Sequence, residues 1–396
     1  MKTLLLARPD HSTFLYAGLR QNQSIDLKYH TFSAFKKGSW LNRWKPSVKS
    51  MDSEVEISYT FTFFHRLLDF LNKKITFDYY GTENKISEYF FEQILQKYHG
   101  EFDVVHYWPI YCHRAISNFQ PLNPQTKFLA EVYAAHPDYV REILEPEYDK
   151  YGISVKESHF IKSRDRDVAS LESVKNMLVP SEYIAEIYQK YYPNTNIFTV
   201  SYGLLNFKEK YLTQPGKRDS GTLRLIFVGK VSIEKGCTYL LEAMKKLPPT
   251  SFHLDLIGEI EPNQRAIFKP YLGISNVRFL GKLPNAKIFG ILPNYHIFVL
   301  PSLTDAYSLA VSEALMHKLP VIITENVGNK DEVRKFEIGK VCQVKDSNSL
   351  IEAILSLHNE EYRQTLIKNI DNFIIENQQN SYATKVLNIY NYLLKY

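Results

Sequence analysis

Short apolar runs and longer amphipathic stretches alternate along most of this 396-residue chain. Runs such as 2–6, 223–228 and 297–300 are almost wholly apolar, which predicts strands buried on both faces. Between such runs, apolar residues recur three and four positions apart, which predicts amphipathic helices. Alternating strands and helices are typical of parallel sheets covered by helices. The pattern therefore predicts an α/β protein with two Rossmann-like, doubly wound domains and a cleft between them.

The stretch 300–317 contains the clearest strand–loop–helix unit. Apolar positions recur with helical spacing from about Ser308, so a helix is predicted to begin there, and the run 320–324 predicts the next strand. Asp305 and Glu313 bracket the turn. Open parallel sheets bind ligands at the carboxyl ends of their strands, and the first amides of a helix favour an anion. We therefore expect a binding site for an anionic ligand here.

The domain limits follow from composition. Residues 207–221 are polar and charged, which predicts a linker. We therefore expect an N-terminal domain at 1–206, a C-terminal domain at 222–378, and a terminal segment at 379–396. The length of the chain also suggests two domains.

Net charge and cysteine content argue against several classes of protein. The net charge of +5 suits an anionic ligand or an anionic membrane surface, but it does not indicate nucleic acid. The three cysteines lie far apart without a CxxC spacing, which argues against a disulfide framework or a zinc site. The apolar runs are too short for a signal peptide or a membrane span. A cytoplasmic location is therefore expected.

A basic stretch followed by an aromatic helix suggests a second kind of contact. Residues 36–49 combine lysines and arginine with Trp40 and Trp44, and 61–74 predicts an amphipathic helix with an aromatic face. Basic residues beside Trp and Phe are typical of an interfacial membrane contact. Peripheral binding at the inner face of the membrane is one interpretation. A solvated loop followed by a core-packed helix is the other.

The second half of the chain resembles the large retaining glycosyltransferase family numbered four, which has the two-domain GT-B fold. The resemblance rests on an ordered set of motifs, which are Phe227-Val-Gly-Lys230, Glu234-Lys235-Gly236, Leu256-Ile-Gly258, Val277-Arg-Phe-Leu-Gly281, Leu300-Pro-Ser302, the pair Asp305 and Glu313, and Leu319-Pro-Val-Ile322. Looser matches follow the N-terminal strands at Pro180-Ser181-Glu182 and Tyr202-Gly203.

The chain departs from the family pattern at several positions. Asp305 replaces a glutamate, Lys230 an arginine and Leu319 a glycine, and the Gly-Gly loop after the first strand is missing. The family's site histidine aligns with Tyr133, whereas His136 lies three places later. These departures affect the expected donor sugar more than the expected type of chemistry.

The resemblance implies transfer of a hexose-type sugar from a UDP- or GDP-sugar to a saccharide or lipid-linked acceptor, as in surface-glycan synthesis. It implies that the acceptor binds the N-terminal half, that domain closure assembles the site, and that the last helix crosses back to the N-terminal domain. It also implies retention of anomeric configuration. No Asp-x-Asp pair follows a strand, so we expect no metal and no cofactor besides the donor substrate.

The resemblance also assigns residues. The implied catalytic residues are Lys230, Lys235, Asp305, Glu313 and His136, with Tyr133 as the alternative to His136. The lysines would contact the diphosphate, Glu313 the ribose, and Asp305 and His136 the donor sugar. The implied nucleotide-binding residues are Lys282, Leu283, Ala306, Tyr307, Ser308, Leu309 and Glu313.

Two other function classes remain open at this point. One keeps the fold and changes the reaction, as in a nucleotide-sugar epimerase or a phosphorylase. The other is a non-catalytic subunit that binds sugar nucleotides through a site with altered residues. Fold alone does not choose among these classes.

Overall fold

Two parallel β-sheets organise the chain in the computed structural model, one in each half. The structure describes residues 1–8, 12–31, 35–36, 50–51, 55–57, 59–72, 79–154, 163–205 and 221–396. The strands within these ranges are β1 Lys2–Leu6, β2 Asp26–Thr31, β3 Phe35–Lys36, β4 Ser50–Met51, β5 Glu56–Ile57, β6 Val104–Tyr107, β7 Lys127–Glu131, β8 Asn176–Val179, β9 Asn196–Thr199, β10 Leu223–Val228, β11 Phe252–Ile257, β12 Val277–Gly281, β13 Ile297–Leu300, β14 Val321–Thr324 and β15 Gly339–Cys342.

Helices connect the strands and cover the sheets. The α-helices are α1 Ser12–Leu19, α2 Tyr59–Asn72, α3 Tyr79–Leu95, α4 Pro109–Phe119, α5 Pro137–Asp149, α6 Arg164–Ala169, α7 Glu182–Tyr191, α8 Cys237–Lys246, α9 Arg265–Phe268, α10 Asn285–Ile291, α11 Leu309–Met316, α12 Lys330–Lys335, α13 Ser347–Ser356, α14 Glu360–Gln379 and α15 Tyr382–Lys395. Single 3₁₀ turns lie at Gln120–Leu122, Pro262–Gln264, Lys269–Tyr271 and Leu292–Asn294.

The strand orders identify both sheets as doubly wound. The N-terminal sheet has the order β5-β2-β1-β6-β7-β8-β9, and the C-terminal sheet has the order β12-β11-β10-β13-β14-β15. The strand pairs within both sheets are parallel. In each sheet the order reverses once, between β1 and β6 and between β10 and β13. Such reversals open a crevice at the carboxyl ends of the strands, where this class of sheet binds ligands.

Each sheet has its own hydrophobic core. In β13 every residue is buried, as expected for a central strand with helices on both faces. The near-continuous apolar runs of the sequence are therefore the central strands of these sheets, and the predicted α/β class is confirmed.

The last helix, α15, packs in the N-terminal core although it follows the C-terminal domain in the chain. The Tyr382 hydroxyl donates to Glu131 Oε2 at 2.7 Å, and the Tyr390 hydroxyl lies 2.7 Å from His106 Nδ1. A Cβ on Gly18 would lie 2.4 Å from that of Ala383, so α1 and α15 approach closely. The end of the chain therefore returns to the N-terminal sheet.

The predicted aromatic helix at 61–74 corresponds to α2, which buries Leu68 and exposes several aromatic side chains. Phe63 is 66% exposed and Phe70 is 52% exposed. Trp40, Trp44 and nearly all of the predicted linker lie outside the described residues. In the described parts of the chain, no helix has the length and apolar character needed to cross a bilayer.

Candidate functional site

The crevice of the C-terminal sheet is formed by two loops that the switch of strand order brings together. Strands β10 and β13 are neighbours, with Leu225 opposite Ile297. The loop after β10 is joined to the loop after β13 at the Glu234 carbonyl, which accepts from the Leu303 amide at 2.8 Å and from Ser302 Oγ at 3.1 Å. The motifs at 229–236 and 301–308 therefore form one site.

Gly236 allows this close approach. Its φ is +66°, a left-handed conformation that residues with a Cβ rarely adopt. A Cβ at this position would also lie 1.8 Å from the Pro301 carbonyl oxygen. Gly236 is followed directly by helix α8, so it lets the loop pass beside the second loop before the helix begins.

Lys235 and Asp305 meet across the two loops. Lys235 Nζ donates to Asp305 Oδ2 at 2.5 Å, and the side chains are 30% and 13% exposed. An ammonium group has three donors, so Lys235 keeps donors for a further anion while it holds Asp305. The structure thus brings together two of the residues to which the resemblance assigned separate roles.

Lys230 has a different position. Its side chain is 61% exposed, and Nζ lies 2.7 Å from Glu261 Oε2. An exposed ion pair of this kind is weak, so the ammonium group can leave Glu261 at little cost for a more highly charged anion.

Helix α11 begins where the sequence predicted, and a serine cap sets its start. Ser308 is the N-cap residue, and its hydroxyl accepts from the Val311 amide at 3.4 Å. The Ser308 amide itself donates to Asn329 Oδ1 at 2.8 Å. The hydrogen of this amide is therefore used inside the protein, and the assignment of Ser308 to the nucleotide stays a prediction.

The neighbouring loop residues anchor the site on other elements. The Ala306 carbonyl accepts from Ser181 Oγ of the N-terminal domain at 2.9 Å. Tyr307 is buried, its hydroxyl donates to Glu332 at 2.5 Å, and its ring meets the edge of Tyr202. Burial raises the pKa of Tyr307 well above its ordinary range. The Tyr307 side chain therefore holds the loop. Leu309 is partly exposed at the first turn of α11.

Glu313 is a partly buried carboxyl group on helix α11. Burial raises its pKa from 4.5 to about 7, and no other cause of the shift is resolved among the described residues. The next turn of the chain is fixed by His317, whose Nδ1 lies 2.8 Å from the Glu313 carbonyl oxygen. A carboxyl group that is buried without compensation is a candidate for ligand binding, because a ligand can supply the missing hydrogen bonds.

The predicted base-binding residues lie on the same edge of the sheet. Lys282 is exposed and Leu283 partly exposed, directly after β12. Glycines with positive φ follow β10 and β11 and end β12, at 229, 258 and 281. The assignment of Lys282 and Leu283 to the base stays a prediction.

His136 is not brought to this cluster. It is 2% exposed, and it is the N-cap of helix α5, where Nδ1 accepts from the Asp138 amide at 3.2 Å. Its ring stacks on Tyr191 of α7 with centroids 3.8 Å apart, and burial lowers its pKa. The described contacts of this ring are those of a buried helix cap, and a catalytic role for His136 stays a prediction.

Tyr133, the alternative position, lines a cavity of about 120 Å³ in the N-terminal domain. The same cavity is lined by Arg166 and Asp167 of helix α6, and by Ile110 and Glu131, at the carboxyl ends of β6 and β7. This is the sheet edge that faces ligands in a doubly wound domain. The cavity therefore offers a small, mainly apolar pocket with a few charged and polar groups on the N-terminal side.

Comparison with known proteins matches the part of the chain that forms this crevice to a known family. Residues 209–373 match the family model described as glycosyl transferases group 1. This part of the chain is therefore similar to the group 1 glycosyltransferases. The family predicted from the motifs is therefore confirmed at this level.

One similar protein is the N,N'-diacetylbacillosaminyl-diphospho-undecaprenol alpha-1,3-N-acetylgalactosaminyltransferase of Campylobacter jejuni. The two are 26% identical over 141 residues, which are 35% of this chain and 37% of that protein. The matches to the first curated relatives all span well under half of each relative's length.

Two solved structures show the fold. Sucrose-phosphate synthase from Thermosynechococcus elongatus aligns with a TM-score of 0.64 and 16% identity, over 100% of this chain and 99% of that one. The Anabaena protein HepE, in complex with UDP and glucose, aligns with a TM-score of 0.60 and 14% identity, over 100% of both chains. The predicted GT-B fold is therefore confirmed.

Several contacts of the site come from residues that the motifs did not single out. Asn329 holds the Ser308 amide, as described above. From the N-terminal domain, the Tyr183 hydroxyl lies 3.0 Å from Thr304 Oγ1, and Tyr148 reaches Glu234. These contacts join residues far apart in the chain, so neither spacing nor periodicity could have indicated them. Among the described residues, no group of three or more His, Cys, Asp or Glu side chains is arranged to hold a metal ion.

Proposed function

We propose that this chain is a retaining glycosyltransferase. It transfers a hexose-type sugar from a nucleoside-diphosphate sugar to a saccharide or lipid-linked acceptor in surface-glycan synthesis. The observation that carries the proposal is the contact of Lys235 with Asp305 at the switch point of the C-terminal sheet, followed by a helix that carries the partly buried Glu313.

The donor would lie along the crevice with its parts held by different side chains. Glu313, with its carboxyl group partly buried, accepts hydrogen bonds from the ribose hydroxyls. Lys235 and Lys230 supply positive charge for the diphosphate, and the amides of Tyr307 and Leu309 add neutral donors at the start of the helix. Asp305 keeps Lys235 in place through Oδ2, and its second oxygen can accept from a hydroxyl of the donor sugar.

In the reaction, the bond between the anomeric carbon and the diphosphate oxygen breaks, and a bond to the acceptor oxygen forms on the same face. The acceptor hydroxyl gives its proton to the departing phosphate oxygen. Negative charge grows on the leaving diphosphate, so the preorganised positive charge of Lys235 stabilises the transition state more than the ground state. This route retains configuration without a second carboxylate acting as nucleophile.

We also propose that the reaction needs no metal, because lysines and helix amides take the place of a cation at the diphosphate. UDP or GDP is the proposed nucleotide. HepE, which shares the fold, was solved with UDP and glucose. Transfer that continues in EDTA is expected, whereas loss of transfer in EDTA and its rescue by a divalent ion would contradict this part of the proposal.

The acceptor would bind the N-terminal side of the cleft, where Tyr133 lines the small, mainly apolar cavity. The Campylobacter jejuni relative is named for a diphospho-undecaprenol-linked sugar, which favours a lipid-linked acceptor here too. A lipid-linked acceptor requires the enzyme to reach a membrane. The exposed face of α2, with Phe63, Phe64, Leu67 and Phe70, is suited to peripheral contact at the inner face, and the protein would otherwise be cytoplasmic.

Membrane contact can be tested by co-sedimentation with anionic liposomes. The double variant Trp40→Ala/Trp44→Ala and the variant Phe63→Ser are each compared with the wild type. Reduced sedimentation of both is expected. Equal sedimentation of all three proteins would remove α2 and the tryptophans from the proposal.

The proposed reaction is tested by following donor consumption and product formation for Glu313→Ala and Lys235→Ala, with Lys287→Ala as the control. Lys287 is exposed on α10. Both site variants should lose most of their turnover, and the control should keep it. Wild-type turnover in both site variants would show that the site is wrongly assigned. Nucleotide binding without transfer would instead indicate a binding subunit, and a change of the donor sugar without acceptor would indicate an epimerase.

A further inference from the structure

The carboxyl end of helix α5 contacts the donor-side loop across the domain boundary. Tyr148 is 1% exposed, and its hydroxyl group donates to Glu234 Oε1. Gln264 completes the contact, with Nε2 at 3.1 Å from the Tyr148 hydroxyl and 3.4 Å from Glu234 Oε2. Burial, followed by the charge of Glu234, raises the pKa of Tyr148 far above its ordinary range, so the hydroxyl remains a donor.

Glu234 is the neighbour of Lys235 and is fixed at both ends. Its carbonyl oxygen is bound by Leu303 and Ser302 of the second loop. Its carboxylate is bound by Tyr148 of the N-terminal domain. The backbone just before Lys235 is therefore held by one domain through the carbonyl group and by the other through the side chain.

A second contact on the same helix strengthens the attachment. Glu147 is 2% exposed and lies 2.8 Å from Lys150 Nζ, 3.2 Å from Lys345 Nζ and 2.7 Å from the Tyr239 hydroxyl. Burial would raise the pKa of Glu147, but the hydrogen bonds from these three groups outweigh it and the pKa is lowered. Lys345 also donates to the Ile143 carbonyl at 2.9 Å.

We infer that Tyr148 is a positioning residue for Lys235, and that the contact of α5 with Glu234 makes the placement of Lys235 depend on closure of the two domains. The inference rests on the proposed function, because it assigns Lys235 to the donor diphosphate. Tyr148 itself does not touch the donor. It acts by fixing the loop that carries the ammonium group.

The expected effect follows from the chemistry of the contact. Without the Tyr148 hydroxyl, the Glu234 carboxylate loses a charge-assisted hydrogen bond in a partly buried place and turns toward solvent. The loop can then shift by about an ångström, which is enough to lower the rate strongly when the shifted group stabilises charge in the transition state. In the wild type, the contact between the domains forms this hydrogen bond and so holds Lys235 in place for the diphosphate.

The test compares the affinity for the nucleoside with the affinity for the nucleoside diphosphate. Binding of the nucleoside and of the nucleoside diphosphate is measured by calorimetry for the wild type, Tyr148→Phe and Tyr271→Phe. Tyr271 provides a matched control, because its hydroxyl donates to Glu242 at 2.6 Å within the C-terminal domain. Tyr148→Phe should weaken the diphosphate about tenfold and leave the nucleoside unchanged, since ribose binding rests on Glu313. Tyr271→Phe should change neither.

A second variant keeps the test decisive if Tyr148→Phe folds poorly. Glu234→Ala removes the same hydrogen bond from the other side and leaves α5 intact, so it should show the same selective loss of the diphosphate. Equal diphosphate affinity in wild type and Glu234→Ala, or equal weakening of nucleoside and diphosphate by Tyr148→Phe, would overturn the inference. Absence of diphosphate binding by the wild type would instead overturn the proposed function.

Discussion

Replacing Glu313 by glutamine should make the protein more stable at pH 8 and should weaken nucleotide binding. Burial raises the pKa of Glu313 from 4.5 to about 7. At about 1.36 kcal/mol per pKa unit, the ionised carboxylate of the free protein carries a penalty of about 3 kcal/mol. Glutamine keeps the shape and removes the charge, but its buried amide costs about 1–2 kcal/mol. A net gain of about 1–2 kcal/mol remains.

The pH dependence of the wild type's stability determines at which pH the glutamine variant is the more stable protein. Because the pKa is higher in the folded state, that state binds the proton more tightly between about pH 4.5 and pH 7. Stability of the wild type therefore falls as pH rises through this window, and the full penalty is present above about pH 7.5. The advantage of Glu313→Gln should appear at pH 8 and disappear near pH 4.5.

Thermal unfolding of the wild type and of Glu313→Gln at the two pH values measures the effect. A gain of about 1–2 kcal/mol corresponds to an increase in Tm of roughly 2–8 °C at pH 8 for a domain of this size. Glu352→Gln, on the exposed side of α13, is the control and should change little. A Tm for Glu313→Gln that is unchanged or lower at pH 8 would refute the reasoning. Weaker nucleotide binding by a more stable protein could not be attributed to unfolding.

Three further predictions follow from the same site. Nucleotide affinity should increase as pH rises through about 7 and level off about one pH unit higher, because ribose donates to the ionised Glu313. A flat pH profile in calorimetry would contradict this. Ser308→Ala removes the hydroxyl that accepts from Val311, so it should lower the free energy of unfolding by about 1 kcal/mol in urea titrations, and an unchanged midpoint would contradict the capping role. Gly236→Ala places a Cβ against the Pro301 carbonyl at a residue with positive φ. It should therefore destabilise the folded protein by more than about 1 kcal/mol and lower its nucleotide affinity. A wild-type melting temperature for this variant would show that the loop can move aside.

Local patterns in the sequence predicted the fold and the main loop of the site. The helix after Asp305 begins after the Ser308 cap as predicted, because a serine before a run with helical spacing is itself the physical cause of the helix start. The apolar run at 297–300 is a central strand for a similarly local reason, since a strand buried on both faces must be apolar throughout.

The same local reasoning could not determine where side chains point or what they meet. His136 follows a strand end, as a site residue would, yet its ring turns to Tyr191 and its nitrogen caps a helix. The Ser308 amide lies at a helix start, yet it is taken by Asn329, more than twenty residues further on. The contact between Tyr148 and Glu234 joins two domains, and such contacts exist only once both domains have folded.

The most direct test of the central claim is calorimetric titration of the wild type with UDP, GDP and ADP, repeated for Glu313→Ala, Lys235→Ala and the control Lys287→Ala. The account predicts that the wild type binds one of these nucleotides, that each site variant binds it at least about tenfold more weakly, and that the control binds it normally. Binding of the nucleotide with unchanged affinity by both site variants would contradict the placement of the donor in the crevice between β10 and β13.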